Sequence, residues 1–302
     1  MKTIRNIAAS VGLVVILTCG FACKVSDDAD AASQQMTTTA ADLSGYYNSL
    51  AASLSDTIAL SELDASISKV PFDAPGRQRI QATLSEISKR KEAAQALARL
   101  AASMSALSGS KASSDVSNAA SALGNELVKV KALPGGSPVP DALGKAGGLL
   151  LQFIQQRKEK EAARAMDQTL AALVSLFEKE KPVYDSISHV HMFLAKTVAE
   201  DLINRESVDP SAMLSPALKP FNLVPLPVDP KLRDTLRSLA LTRLQTSADD
   251  ATQSAMNASA AMLAAMQEMS SRVHLLATEK PMPIRGNPFS LKIVESWVAS
   301  AI

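Results

Sequence analysis

Aromatic side chains make up only 4% of this 302-residue chain, and glycine is sparse at 12 residues. Val, Ile, Thr, Tyr and Phe nowhere gather into alternating runs, which excludes more than a trace of β-sheet. Neither sign of charge dominates, with 31 basic residues against 30 acidic. No basic face interleaved with rings forms, so nucleic acid is excluded as a partner and a polybasic membrane patch is missing. Two cysteines are too few for a four-ligand zinc site or a disulfide framework. No G-x-S-x-G, P-loop or H-E-x-x-H pattern occurs, so no catalytic residue and no cofactor is assigned, and the chain reads as a non-enzyme. What remains is ample apolar material. Hydrophobic residues reach 47%, supplied mainly by alanine, leucine and methionine.

The first residues carry the most specific signal. "MKTIRN" holds Lys2 and Arg5 and no acid, an apolar run follows over residues 7–17, and small residues lead to Ala22. A basic start, a short apolar stretch and a small-residue zone form a secretory signal, here residues 1–22. The apolar run falls short of the roughly 20 residues a spanning helix needs. The segment "GFAC", residues 20–23, resembles the lipobox of bacterial lipoproteins. Ala22 matches the small residue before the cysteine, whereas Gly20 stands where a branched aliphatic is usual. The resemblance implies a lipid on the Cys23 thiol and a place in the bacterial cell envelope, facing the periplasm or on the outer membrane. "ILTC", ending at Cys19, is a second box with Thr18 out of pattern, and secretion with a bare Cys23 is a third reading. Removal of residues 1–22 leaves 29 basic residues against 30 acidic, because only Lys2 and Arg5 are lost. The stretch 23–39 is polar and small-residue-rich, the composition of a flexible tether.

Beyond it the period is helical. From 40 to 70, Leu43, Tyr47, Leu50, Leu54 and Ile58 recur at three- and four-residue steps until Pro71 and Pro75. Over 77–107 the stripe is Ile80, Leu84, Ile87, Ala94, Leu97, Ala101, Met104 and Leu107, with "SKRKE" (88–92) on the outside. A weaker face spans 112–131, and "LPGGSPVP" (133–140) is a loop. Residues 141–206 predict one long rod, kinked or split at Pro182, which lacks the backbone donor a helix uses. Prolines at 210, 216, 220, 225, 227 and 230 make 207–230 a connector. A final long helix over 229–278 carries Leu232, Leu236, Leu239, Leu244, Ala255, Ala258, Met262, Met266, Met269 and Val273 inward. A tail with a short helix follows over 281–302. The expectation is an all-α, elongated antiparallel bundle of five or six long helices spanning 40–280.

Four features are candidates for chemistry. His189 and His191 lie two residues apart, which on a helix sends them to nearly opposite faces and prevents a shared metal. Asp185, four residues before His189, is spaced to pair with it. Met262, Met266 and Met269 have the spacing of a thioether copper cluster but also of a core stripe, with His274 within reach of Met269. "GKAGGLLLQFI" (144–154) is too short to span a bilayer and reads as a buried helix start. The resulting expectation is a lipid-anchored envelope bundle acting as scaffold, spacer or interaction module for a protein partner. A helical binder of a small ligand or metal, with 207–230 as lid, is the alternative, and a membrane-active helical toxin ranks third.

Overall fold

The computed structural model describes residues 3–71, 73–105, 112–136, 138–141, 143, 145, 148, 149, 152, 159–214 and 231–278. Side chains are described from residue 32 on, apart from 105, 112–114, 159–163 and 276. The described residues form five long helices and no strand: α1 (Thr3–Ser68), α2 (Ala74–Ser105), α3 (Ala112–Lys129), α4 (Glu159–Asn204) and α5 (Arg233–Ala277), with a 3-10 turn at Pro210–Leu214. The chain is an all-α bundle. At 1.5 Å per residue the 46 residues of α4 make a rod of about 70 Å.

Contacts across the bundle set its direction. Ser33 Oγ, low on α1, donates to the Ala101 carbonyl at the far end of α2 (2.6 Å). His274 Nδ1, near the end of α5, lies 2.9 Å from Asp167 Oδ2 near the start of α4. Both helix pairs are therefore antiparallel hairpins, with α1 entering and α5 leaving at one end. The α1–α2 turn lies at the other end, as do the close of α4 and the start of α5, where Arg233 meets Glu206. We call these ends basal and distal.

The helices end where local chemistry ends them. Lys69 adopts the left-handed region (φ 55°), and Val70 N–H then reaches the Ala65 carbonyl at 3.2 Å, a Schellman closure. Glu206 (φ 56°) closes α4 in the same way, with Glu206 N–H to Ile203 O and Ser207 N–H to Leu202 O at 3.1 and 2.9 Å. Pro75 sits in the first turn of α2, where a missing donor costs nothing. In α3, Asp115 in the first turn and Lys129 in the last complement the helix dipole.

Two adjoining clusters make the core. The basal one joins Met36, Leu97, Leu100, Leu123, Leu127, Met166, Leu170 and Met269. The central one joins Leu43, Tyr46, Tyr47, Leu50, Ile87, Phe177, Tyr184, Met262 and Met266. Of the expected α1 stripe, Leu43, Tyr47, Leu50 and Leu54 are buried and Ile58 is half-buried.

Several expectations change. The stretch 23–39 was expected as a flexible tether, yet it lies inside α1, and Ala32, Ser33, Met36 and Thr39 are buried. Ala32 and Met36 extend the Ala40–Leu43 stripe downward at four-residue steps, so among the described residues packing reaches two turns below the expected start. Pro182 neither splits nor ends α4; it is exposed, and the helix on both sides of it is held by buried partners described below. Leu232 and Leu239 were expected inward but are exposed at 53% and 51%. They lie in the distal part of the bundle, where packing thins: beyond Thr57 no described residue of α1 is buried, and none of α2 before Ile87. Leu143 is buried and Leu149 exposed within 144–154 and its approach. The side chains of Cys19 and Cys23, the connector residues 215–230 and the tail 281–302 lie outside the described residues.

Candidate functional site

The centre of the bundle holds charge. Arg90 on α2 and Glu180 on α4 are 3% and 0% exposed, and each interrupts its own helix's apolar stripe. Arg90 fills the position between Ile87 and Ala94, and Glu180 the position between Phe177 and Tyr184, so helical period turns both inward. Arg90 Nε donates to Glu180 Oε2 at 2.8 Å, and Nη2 donates to Oε1 at 2.5 Å, a bidentate fork. Two more guanidinium hydrogens are engaged. Nη1 donates to the Glu86 carbonyl (2.9 Å) and Nη2 to the Lys131 carbonyl just after α3 (2.7 Å). Glu86 Oε2 lies 3.8 Å from Nη1 and accepts the Lys131 N–H at 3.1 Å.

The chain's three tyrosines surround this pair. Tyr184 Oη donates to Glu180 Oε2 at 2.5 Å, and Tyr47 Oη lies 3.4 Å from Tyr184 Oη. Tyr46, Tyr47 and Tyr184 join Phe177 in a ring cluster with centroids 5.2 to 6.4 Å apart, several pairs edge-on. Such tilted pairs each add about 0.5–1.5 kcal/mol beyond area burial. Next to it, Ser259 Oγ on α5 donates to Asp185 Oδ1 at 2.5 Å, and Lys181 Nζ donates to Asp185 Oδ2 at 2.7 Å. All five helices or their flanks thus meet at one level.

The electrostatics follow from burial. Desolvation pushes the Tyr46 phenol well up, helped by the Asp185 carboxylate and opposed by its hydrogen bond with Ser259. Tyr184 is raised by desolvation, then by Tyr47 and Glu180, and Tyr47 is raised mainly by desolvation. The three hydroxyls therefore keep their protons and serve as donors. Burial works against the Arg90 charge, but the Glu180 hydrogen bond and the Coulombic pull of Tyr184, Glu180 and Tyr47 together outweigh it and raise the guanidinium further. Burial likewise works to raise Glu86, yet hydrogen bonds from Lys89 and the Lys131 backbone hold it below the usual range. A cavity of about 20 Å³ touches Tyr47 and Arg90, room for about one water. With four of its five donors committed inside the chain and its side chain buried, Arg90 is closed to a substrate.

This network was not expected. "SKRKE" was assigned to the outside, but the helical period places Arg90 on the inner face, while Glu92 alone of the five is exposed. The other expected residues are not brought together. Asp185 turns to Lys181 and Ser259, so its spacing-based pairing with His189 does not form among the bonds described; His189 is exposed. His191 is half-buried on the α1 side, with Nδ1 enclosed and without a partner among the described residues. Desolvation lowers its pKa, opposed by Asp56 of α1. His274 takes Asp167. Met262, Met266 and Met269 are 0–1% exposed and fill the core. Among the described residues no group of three His, Cys, Asp or Glu side chains converges on a metal position, and no helix is long and apolar enough to cross a membrane.

Compared with protein-family models, curated proteins and solved structures, the chain finds no match.

Proposed function

We infer that this protein is a lipid-anchored scaffold or interaction module of the bacterial cell envelope, without catalytic activity of its own. The observation that carries the scaffold reading is the closed Arg90–Glu180 network: a charged core whose groups serve one another is suited to fixing helix register rather than to turnover. One charged position per stripe forbids a one-turn slip, because the slip would leave both charges buried and unpaired. The anchor reading is supported by the basic, apolar and small-residue succession ending at Cys23. Ala32, nine residues after the thiol, is already buried, which supports a short leash. Such a chain holds the basal end against the bilayer and leaves the distal end about 55 Å up the axis of α1 for a partner, at 1.5 Å per residue. The copper or small-ligand alternative loses support, because its three methionines are core residues.

Growth with a radiolabelled fatty acid tests the anchor. Label is expected on the wild-type protein and absent from Cys23→Ser; equal label on both, or none on either, ends the lipid assignment. Cross-linking from distal cysteines such as Lys69→Cys in the native membrane tests the scaffold part, which predicts one recurrent protein adduct.

A further inference from the structure

At the distal end Glu206 occupies a backbone position that glycine takes without strain (φ 56°). What glycine would lack is a carboxylate, and this one is held on both oxygens. Arg233 Nη1 donates to Glu206 Oε2 at 2.9 Å, and Arg237 Nη2 donates to Oε1 at 2.7 Å. Two guanidiniums one turn apart on α5, each on a different oxygen of one carboxylate, have the arrangement of a carboxylate receptor. The chain supplies its own ligand. An open cavity of about 330 Å³ adjoins the pair, with Ile203 and Val208 giving it an apolar side and Asp209 a second acid. Asp209 is turned away toward Ser211, whose N–H and hydroxyl donate to it at 2.9 and 2.8 Å and hold its pKa low. Asp234 Oδ1 lies 3.7 Å from Arg237 Nη1, too long for a hydrogen bond.

We propose that Arg233 and Arg237 form a seat for a carboxylate of an acidic peptide partner, and that Glu206 is its built-in occupant, displaced when the partner docks. The occupant is easily exchanged. The Glu206 and Arg233 side chains are about half exposed, at 51% and 48%, so water and salt screen the bond being replaced. The cavity receives the methylenes of the incoming side chain against Ile203 and Val208. A plain structural clip would use the same bonds, but it predicts no new binding once Glu206 is gone. The proposal builds on the interaction-module reading and names its partner chemistry; it does not require the lipid.

The test is fluorescence anisotropy at low ionic strength with the purified full chain and a labelled four-glutamate peptide capped at both ends. Glu206→Gly, whose backbone suits the left-handed position, should bind about tenfold more tightly than wild type, the order expected for losing a competing exposed carboxylate. Glu206→Gln, which keeps the side-chain shape, should also gain. Adding Arg237→Gln to Glu206→Gly should erase the gain, and a four-glutamine peptide should not bind. No gain in either Glu206 variant overturns the proposal, as does a gain that survives Arg237→Gln. Displacement of the peptide by equimolar inorganic phosphate overturns the carboxylate assignment. Fatty-acid labelling at Cys23 is unaffected by any of these outcomes.

Discussion

Replacing Glu180 by glutamine removes one charge and almost no volume from the middle of the bundle. In the native protein Glu180 accepts from Arg90 Nε, Arg90 Nη2 and Tyr184 Oη, and it is 0% exposed. A glutamine presents one oxygen and one amide nitrogen to the same three donors. Whichever way it turns, at least one N–H of Arg90 faces another N–H, and the guanidinium keeps its charge because it is too basic to lose a proton at neutral pH even against burial. The nearest remaining counter-charge, Glu86 Oε2, lies 3.8 Å away and is already shared with Lys131. Breaking a buried pair by neutralising one partner costs about 3–5 kcal/mol. Against a total stability of roughly 5–15 kcal/mol, that is a large fraction. Urea denaturation followed by circular dichroism at neutral pH measures it. The double variant Arg90→Met/Glu180→Leu removes both charges and should be less destabilised than Glu180→Gln alone, because no uncompensated ion remains in the core. A loss below about 1 kcal/mol for Glu180→Gln, or a double variant equal to the sum of its singles, would falsify the account of a coupled buried pair.

Two further outcomes follow from other parts of the fold. His191 has a lowered pKa in the folded chain, so the unfolded chain binds a proton first as pH falls, and stability is lost from about the ordinary histidine value of 6.5 downward. His191→Gln should flatten the urea midpoint between about pH 7 and 5 relative to wild type, and Asp56→Asn should steepen the loss; parallel profiles for all three proteins would contradict this. Lys69 sits at a left-handed position (φ 55°) that costs a side chain about 1–2 kcal/mol, whereas glycine's entropy cost is about 0.5–1. Lys69→Gly should therefore raise stability by roughly 0.5–1 kcal/mol in the same denaturation assay, and a loss would show that Lys69 makes a contact worth more than its strain.

Much of the fold was legible because helix faces follow from spacing alone. Leu43, Leu50 and Leu54, or Met262, Met266 and Met269, return to one side of a helix whatever surrounds them, and all six are buried. The methionine stripe read as core and is core. The reading failed where it sorted residues by type before position. Lys89 and Lys91 disguised Arg90 as part of a solvated run, although Arg90 falls three residues after Ile87, in the inward place. Glu180 likewise stands between Lys179 and Lys181, three residues after Phe177. One charge of each sign, each in the gap of its stripe, was a signal available in advance. The polar stretch before Ala40 failed for a related reason: small side chains look like a tether but also let helices approach closely, and Ser33 uses its hydroxyl to reach α2.

The sequence by itself determined the helical class and the main core faces, because these depend on period and composition along one chain. Which helix meets which, and at what height, depends on contacts between residues far apart in sequence. Arg90 and Glu180 are 90 positions apart, and Glu206 and Arg237 are 31. Only the assembled bundle brings each pair within hydrogen-bonding distance, and only burial decides that the first is a locked core while the second stays open to water. No local propensity encodes either outcome, since desolvation and charge pairing are properties of the neighbours a side chain finally meets.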